Sequence, residues 1–390
     1  MKHIFAAVSA LAILAFMPSC GSNTDGPDDG NDQLPAEETA SFVKGADVSW
    51  CTEMEADGRQ FRDRGGNVCE LFSLMKNIGM DAIRLRVWVN PESYGYGAWC
   101  DKADLLAKAR RAKAQGLDIL VDFHYSDFFA DPGRQLIPVD WKDMDLNGMA
   151  AAVSAYTRDV LSSLKAEGID VKWVQTGNET NSGMLWDVGR IDWKADASKR
   201  YTNYVKLHNA AYAAVKAVFP KAKVILHYAG VNEASEYDGW FFKDMLAAGA
   251  QIDMIGLSHY PDTKAWSSTE SGAVSNPNAA AGIARLHTLF DLPVMVVETG
   301  FSCEDPAVAS QVMADLLARL AKTEGCEGVF YWEPEVDGKW KPSFYNTLGW
   351  SAYQMGAFTT DGRPTAALDA FGKLCRMSGK PTAALDAFEK

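Results

Sequence analysis

The chain has 390 residues, a formal net charge of −13 at pH 7 and a hydrophobic fraction of 47%. The hydrophobic fraction is enough to fill a core, which excludes a disordered chain, and the acidic balance argues against a nucleic-acid partner, which needs a basic surface. The length fits one large α/β barrel or two ordinary domains.

The first predicted element is an export signal. Lys2 and His3 precede an apolar run over residues 4–17, which is too short to span a bilayer. Cys20 follows this run closely, as in bacterial lipoprotein signals, so we expect residues 1–19 to be removed and Cys20 to carry lipid. Ordinary signal cleavage, with Cys20 left as a thiol, is the alternative.

Residues 20–41 are rich in Gly, Asn, Asp and Pro and contain no Lys or Arg, so we expect a solvated acidic tether. The segment resembles the one that follows the lipidated cysteine in surface lipoproteins of Bacteroides-like gut bacteria. This resemblance implies a surface-exposed outer-membrane location, with membrane contact only through the lipid on Cys20. At the other end, the sequence PTAALDAF starts at Pro364 and again at Pro381, and we expect residues 378–390 to be a tail.

Between these ends, β-rich apolar runs alternate with amphipathic helical patterns. The predicted strands are 43–48, 82–89, 119–124, 171–177, 223–228, 252–259, 294–298 and 328–332, and the predicted helices are 68–78, 102–115, 147–165, 198–219, 239–246, 277–289, 306–323 and 364–376. Eight alternating units predict parallel strands with helical crossovers, and hence a single (β/α)8 TIM barrel over residues 42–377. A doubly wound open sheet is the competing fold, but the Gly-rich phosphate turn typical of it is absent.

The cysteines lack the spacing of a zinc site, and an exported protein can form disulfides. Cys51 and Cys100 follow the first two strands and are expected on loops at the same face of the barrel, so a disulfide between them is feasible. Cys69 and Cys375 fall in helical patterns and are expected to be buried free thiols. The sequence alone leaves the connectivity open.

The second strand carries unusual polar residues. Arg84, Arg86 and Trp88 alternate with aliphatic residues, so the period of two places both arginines toward the barrel lumen. Buried arginines need carboxylate partners, and Asp47 at the end of the first strand is a candidate for a structural ion pair. Two arginines on one strand indicate a functional lumen, where one of them would keep a catalytic carboxylate ionised.

Further polar residues collect where the strands end, which is where the active sites of TIM barrels lie. Glu179 follows the fourth strand and Glu298 ends the seventh, so the two glutamates face each other across the mouth of the barrel. This placement can hold two carboxylates about 5 Å apart, the separation found in retaining glycoside hydrolases. One would be the nucleophile, and the other would be protonated at rest because its neighbour and partial burial raise its pKa.

Longer motifs surround the two glutamates. They occupy residues 84–91, 124–135, 175–179, 256–261, 297–300 and 331–334. Together they resemble glycoside hydrolase family 53, the endo-β-1,4-galactanases, over essentially the whole folded part from about Lys44 onward. The run from His124 to Gln135 is the most specific part of the resemblance.

The resemblance implies a role for each matching residue. Glu179 would be the general acid/base and Glu298 the nucleophile. Asn178 would bind the sugar 2-hydroxyl in the −1 subsite, and Trp332 would form the floor of that subsite. The other residues predicted to bind substrate are Arg84, Arg86, Asp122, His124, Ser126, Asp127, Phe129, Asp131, His259 and Tyr260.

Two positions depart from the family pattern. Phe129 stands where Trp is usual and keeps a stacking face without a donor, while His259 stands where Tyr is usual. His259 is expected to keep a donor near the nucleophile but to add a titratable group. The segment after the seventh strand, residues 301–306, has too few oxygen ligands for calcium, so we expect no metal and no cofactor.

The leading hypothesis is a monomeric, endo-acting retaining galactanase that cleaves β-1,4-galactan and the type I arabinogalactan side chains of pectin. A mannanase or xylanase of the same clan is the nearest alternative, and only the His124 to Gln135 run argues against it. An inactive glycan-binding lipoprotein is the alternative from a different class. The presence of both glutamates and of the arginine-bearing strand argues against such decay.

Overall fold

The computed structural model describes residues 42–236, 238–261 and 275–373. The predicted signal, tether and tail, together with Cys375, lie outside the described residues. Within the described ranges, no helix combines the length and the apolar character needed to cross a membrane.

Eight parallel strands close into a barrel. They are β1 (Val43–Asp47), β2 (Ala82–Val87), β3 (Asp118–Phe123), β4 (Trp173–Thr176), β5 (Lys223–Ala229), β6 (Met254–His259), β7 (Val294–Thr299) and β8 (Cys326–Trp332). Their order around the barrel is β1-β8-β7-β6-β5-β4-β3-β2, and β1 pairs with both β2 and β8. This closed sheet confirms the predicted (β/α)8 barrel and excludes the doubly wound open sheet.

Helices connect the strands across the outside of the barrel. Over the described ranges they are α1 (Cys51–Ala56), α2 (Leu71–Ile78), α3 (Lys102–Ala114), α4 (Leu146–Ala166), α5 (Ala197–Arg200), α6 (Thr202–Val218), α7 (Val231–Ser235), α8 (Trp240–Ala247), α9 (Ser275–Phe290), α10 (Pro306–Leu320), α11 (Tyr345–Leu348) and α12 (Asp369–Lys373). Single 3-10 turns occur at Val139–Trp141 and Ala366–Leu368. The predicted helix over 198–219 is therefore two helices, and the short α1, α7 and α11 had no predicted counterpart.

Local sequence sets where the helices begin and end. The side chain of Asp101 accepts a hydrogen bond from the amide of Asp104 and caps α3, and Asp145 caps α4 in the same way. Helix α2 ends at Gly79, which has a φ of 113°. A Cβ there would lie 2.8 Å from the carbonyl oxygen of Phe371, so this end of α2 packs closely against α12.

An apolar cluster fills the part of the barrel lumen nearer the N-terminal ends of the strands. Its members are Ala82, Leu120, Trp173, Ile225, Met254, Met295, Val297 and Phe330. Gly45 makes room for this packing, because a Cβ at that position would lie 2.2 Å from the ring of Phe330. The lumen is therefore a packed core, and the polar side chains occupy the part nearer the C-terminal ends of the strands.

The structure contradicts the predicted disulfide between Cys51 and Cys100. Both are buried free thiols: Cys51 begins α1, and the Sγ of Cys100 lies 3.7 Å from the carbonyl oxygen of Ser49. The buried ammonium of Lys108 lies 3.9 Å from the same Sγ and donates to the Ser49 carbonyl at 2.7 Å. Polar packing around Lys108 thus takes the place of the covalent bridge. Cys69 is free, as predicted, but only half-buried.

Candidate active site

A cleft of about 270 Å³ opens at the C-terminal ends of the strands. It is lined by His124, Phe129, Ala130, Asp131, Asn178, Glu179, Tyr260, Glu298, Trp332, Tyr345 and Trp350. Glu179 and Glu298 thus share one cleft, as the positions of β4 and β7 led us to expect. In the described part of the chain, no three His, Cys, Asp or Glu side chains are grouped as they would be around a metal ion.

Arg84 lies at the centre of the polar layer beneath this cleft and is 1% exposed. Its Nη1 donates to Asp47 at 2.6 Å, and its Nη2 lies within hydrogen-bonding distance of Asp122 at 2.8 Å and of Glu298 Oε1 at 2.9 Å. The same Nη2 lies 2.9 Å from the Oδ1 of Asn178. One guanidinium therefore fixes an oxygen of Glu298 beside the side chain of Asn178, and three carboxylates compensate its burial.

The second oxygen of Glu298 is also held. Tyr260 Oη donates to Glu298 Oε2 at 3.1 Å. Because both donors bind best to a carboxylate, Arg84 and Tyr260 together favour the ionised form of Glu298.

Glu179 stands on a strained turn at the end of β4. Its φ of 46° is in the left-handed region, two residues after Gly177 with a φ of 104°. Its Oε1 accepts a hydrogen bond of 2.7 Å from Ser258 on β6, and Ser258 pairs in register with Glu298 on β7. The Glu179 side chain therefore reaches across β5 to β6, the strand next to β7, and its charge acts on Glu298.

Burial raises the pKa of both glutamates. At Glu298 the charge of Arg84 opposes this rise and the charge of Glu179 adds to it. At Glu179 the hydrogen bond from Ser258 opposes the rise, and the charge of Asp131 adds to it. The charge of each carboxylate opposes ionisation of the other, and among the described residues Glu298 is the one of the two that contacts a cation. The shared proton therefore belongs on Glu179.

Aromatic rings form the floor of the cleft. The Trp332 ring lies 5.4 Å from that of Trp50, 4.6 Å from that of Tyr353 and 6.4 Å from that of Phe129, measured between centroids. Edge-to-face and tilted contacts of this kind hold the ring planes rigidly. Such a surface suits the apolar face of a sugar ring.

Arg86 does not line the cleft, which corrects its predicted role as a substrate-binding residue. Its guanidinium is buried under the aromatic floor, 4.8 Å from the centroid of Phe129 and 5.2 Å from that of Trp50. It also forms an ion pair with Glu333. Arg86 thus supports the floor through cation–π contacts, and of the two arginines it is Arg84 that contacts Glu298.

Asp122 also lies behind the cleft, where it joins Arg84 to a lining residue. It is fully buried, and its Oδ2 lies 3.0 Å from the Nε2 of His124. The Nδ1 of His124 accepts a 2.9 Å hydrogen bond from the amide of Ala130, so the ring hydrogen is on Nε2 and points to Asp122. Asp122 therefore orients His124 and does not contact the cleft.

Asp127 and Ser126 serve the loop after β3 and do not line the cleft either. Asp127 accepts hydrogen bonds from the amides of Asn90 at 2.9 Å and Val139 at 2.8 Å. The amide of Phe128 donates to the hydroxyl of Ser126 at 3.4 Å. Asp127 ties this loop to two other segments and Ser126 bonds within the loop itself, so their predicted direct contact with substrate is replaced by a positioning role for the loop that carries Phe129.

His259 lies away from the nucleophile, contrary to the prediction. Its Nε2 lies 3.1 Å from the Oδ1 of Asn276 on α9, and burial lowers its pKa. Successive side chains of a strand point to opposite faces, so Ser258 on β6 faces the lumen and His259 faces the helices. The hydroxyl that contacts Glu298 belongs to Tyr260.

Sequence reasoning missed several residues of the site. Tyr345 and Trp350 line the cleft, and Gln175, His227 and Ser258 form the layer under Asn178 and Glu179. Gln135 was quoted only as part of a motif, yet its Nε2 donates to the Asn178 carbonyl at 2.8 Å. A histidine in the middle of an otherwise apolar strand was the available signal for His227.

The chain matches one protein family over nearly all of its described length. The profile of glycosyl hydrolase family 53 matches residues 43–371. The arabinogalactan endo-β-1,4-galactanase of Cellvibrio japonicus is 33% identical over 365 residues, covering 85% of this chain and 89% of that protein. The endo-β-1,4-galactanase of Bacillus subtilis is 30% identical, covering 75% of this chain and 70% of that protein. The family 53 catalytic domain of Ignisphaera aggregans superposes with a TM-score of 0.70 at 27% identity, covering 87% of this chain and 97% of that one. The chain belongs to glycosyl hydrolase family 53.

Proposed function

We propose that this protein is an arabinogalactan endo-β-1,4-galactanase that cleaves β-1,4-galactan and the type I arabinogalactan side chains of pectin. The observation that carries the proposal is the contact of Arg84 Nη2 with Glu298 and Asn178 from beneath the cleft. Both of these residues line the cleft together with Glu179. A double displacement requires one ionised carboxylate and one protonated carboxyl, and Glu298 and Glu179 supply these in the same cleft. Membership of family 53 supports the choice of galactan as substrate.

In the first step, the Glu298 carboxylate attacks the anomeric carbon of the sugar in the −1 subsite. The bond from that carbon to the glycosidic oxygen breaks, and the proton of Glu179 passes to the departing oxygen. The products are a galactosyl ester of Glu298 and a shortened chain with a free hydroxyl group. Asn178, whose Oδ1 is held by Arg84, is placed to bind the sugar 2-hydroxyl as positive charge develops on the ring.

In the second step, ionised Glu179 accepts a proton from water as the water oxygen attacks the same anomeric carbon. The ester bond to Glu298 breaks and the carboxylate is restored beside Arg84. Two inversions at one carbon leave the β configuration of the substrate unchanged. No cofactor is needed for either step.

The rest of the cleft binds the polysaccharide. Trp332 and Phe129 present aromatic faces to sugar rings, and His124 and Asp131 offer polar contacts beside them. Trp350 extends the aromatic lining and carries the guanidinium of Arg134 4.9 Å above its ring. A cleft open at the surface accepts the middle of a chain, as an endo-acting enzyme requires.

A reducing-sugar assay on purified β-1,4-galactan, mannan and xylan tests the proposal. Release from galactan alone, with loss of about 10⁴-fold in kcat on Glu298→Gln, is the expected result because the covalent intermediate can no longer form. Activity confined to mannan or xylan would assign the chain another clan substrate. Binding of galactan without release of reducing ends would assign it to the non-catalytic glycan-binding class.

We also propose that the enzyme is a monomeric lipoprotein on the outer surface of a Bacteroides-like bacterium. The apolar run over residues 4–17, Cys20 and the acidic segment over residues 20–41 support this location. Cys20→Ser should release the enzyme from the membrane fraction, and protease treatment of intact cells should remove the wild-type barrel. A membrane-bound Cys20→Ser variant would contradict the lipid anchor, and light scattering of the released barrel tests the monomer.

A further inference from the structure

Three hydrogen bonds link Glu179 at the end of β4, His227 on β5 and Ser258 on β6. The amide of Glu179 donates to the Nδ1 of His227 on β5 at 3.1 Å. The Nε2 of His227 lies 2.9 Å from the Oγ of Ser258 on β6, and that Oγ donates to Glu179 Oε1 at 2.7 Å. The three contacts form a closed ring, which starts at the backbone of Glu179 and returns to its side chain.

The direction of each hydrogen bond in this ring is determined. A backbone amide can only donate, so the Nδ1 of His227 is an acceptor, and the Nε2 carries the ring hydrogen. The side-chain amide of Gln175 donates to the same Nδ1 at 2.8 Å. His227 is fully buried, and burial lowers its pKa well below the usual value, so its imidazole is neutral. The Nε2–H donates to Ser258, which leaves the hydroxyl hydrogen of Ser258 for Glu179.

The same set of hydrogen bonds also holds the backbone of Glu179 in a strained conformation. Glu179 has a φ of 46°, which a residue with a side chain adopts only at a cost in free energy. His227 binds this turn twice, since its Nδ1 accepts from the amide of Glu179 and its carbonyl oxygen accepts from the amide of Thr180 at 3.0 Å. The position of the Glu179 side chain therefore depends on β5 and β6 as well as on β4.

We propose that Ser258 and His227 are positioning residues that hold Oε1 of Glu179 against the barrel wall, so that Oε2 carries the acid proton into the cleft. This inference rests on the proposed function of Glu179 as acid/base. The oxygen that accepts the Ser258 hydroxyl is the less favoured site for the carboxylic proton, because the carbonyl oxygen of a carboxylic acid is a stronger acceptor than its protonated oxygen. In the glycosylation step the Oε2–H bond breaks and the proton is transferred to the departing glycosidic oxygen. The electron pair of the broken C–O bond stays on that oxygen and forms the new O–H bond. Oε2 takes a proton back from water in the second step.

Other charged and titratable groups also act on Glu179, from several elements. They are Arg84 on β2, Asp122 on β3, Asp131 on the loop after β3, Glu298 on β7 and Tyr260 after β6. Replacing Ser258 leaves all of them in place, so a change in the titration of Glu179 in that variant reports the lost hydroxyl.

The test compares Ser258→Ala with the wild-type protein on two substrates. On galactan, whose leaving group needs a proton, kcat/KM should fall about 10- to 100-fold, as for loss of a hydrogen bond to a charged group. On a dinitrophenyl β-1,4-galactobioside, whose leaving group needs no proton, the fall should stay within about 3-fold. The hydroxyl stabilises the carboxylate form, so its removal should raise the pKa of Glu179 and move the alkaline limb of kcat/KM to higher pH.

Two further variants separate positioning from folding. Ser258→Cys keeps the size and a weaker donor, and its alkaline limb should lie between those of wild type and Ser258→Ala. Thr299→Val removes a buried hydroxyl that has no hydrogen-bond partner among the described residues. This variant should leave kcat/KM on both substrates and the pH profile unchanged. Equal losses on both substrates with an unmoved alkaline limb would overturn the inference, as would a wild-type profile in Ser258→Ala. A wild-type protein inactive on galactan would instead overturn the proposed function.

Discussion

Replacing Arg84 with methionine tests the central electrostatic argument. In the structure, Arg84 Nη2 lies 2.9 Å from Glu298 Oε1, and both side chains are buried. At an effective dielectric constant of about 20, Coulomb's law gives an attraction of about 6 kcal/mol at this distance. Measured losses on removing one partner of a buried pair are smaller, about 3–5 kcal/mol, because the remaining groups relax.

A loss of about 3 kcal/mol from the ionised form of Glu298 corresponds to a rise of about 2 pKa units. The nucleophile must be ionised, so the acidic limb of kcat/KM should move upward by about that amount. At pH values below the wild-type acidic limb, Arg84→Met should be about 100-fold less active than wild type, and between the two limbs this ratio should shrink about tenfold per pH unit as the pH rises. The assay is the pH dependence of kcat/KM on galactan, with circular dichroism to check folding.

Arg111→Met is the matched control. Arg111 on α3 also binds two carboxylates, Glu55 at 2.6 Å and Glu70 at 2.8 Å, but it lies outside the cleft and is partly exposed. Its loss should cost at most about 1 kcal/mol of unfolding free energy and leave the pH profile unchanged. A folded Arg84→Met enzyme with the acidic limb of wild type would refute the role of Arg84 in ionising Glu298.

Three further outcomes are expected. Proton NMR of the first products should show the β-anomer, because attack by Glu298 followed by attack of water inverts the anomeric carbon twice, and an α-anomer appearing first would rule out double displacement. Tyr260→Phe removes a 3.1 Å hydrogen bond to Glu298, so kcat/KM at low pH should fall about 10-fold or more and recover toward higher pH, and a uniform loss at all pH values would contradict this. Gly45→Val forces a side chain into the ring of Phe330, so urea unfolding should show a loss of at least about 2 kcal/mol with the pH profile of the remaining folded enzyme unchanged; wild-type stability would show that the ring can move aside.

The alternation of strands and helices was enough to predict the barrel, because each strand pattern is local. The two glutamates followed from it, since Glu179 and Glu298 lie at the ends of the fourth and seventh strands, and strand ends meet at one face of a barrel. The interaction of Asp47 with an interior arginine was likewise predictable, because a buried guanidinium requires a carboxylate.

The remaining errors concern side chains whose direction depends on contacts across strands. The period of two placed Arg84 and Arg86 on one face, but only packing decides that the Arg86 guanidinium ends under the rings of Trp50 and Phe129. On β6, a shift of one residue in the predicted register changes which side chain is assigned to the lumen. The prediction for His259 made this error, because Ser258 faces the lumen. The link between His227 and Glu179 joins residues 48 positions apart, and no local pattern reports it.

The charge balance of the site suggests why one arginine suffices for both steps. Arg84 contacts three carboxylates, Asp47, Asp122 and Glu298, whereas among the described residues the carboxyl of Glu179 has the neutral Ser258 hydroxyl as its hydrogen-bond partner. A fourth ionised carboxylate would add uncompensated charge in a buried layer, so Glu179 is the cheapest place for a proton. When Glu298 becomes an ester it loses its charge, and Glu179 loses its proton in the same step. The number of negative charges around Arg84 therefore stays constant during glycosylation. With Glu298 neutral, the ionised form of Glu179 is no longer opposed by its neighbour, so it can act as the base that the second step requires.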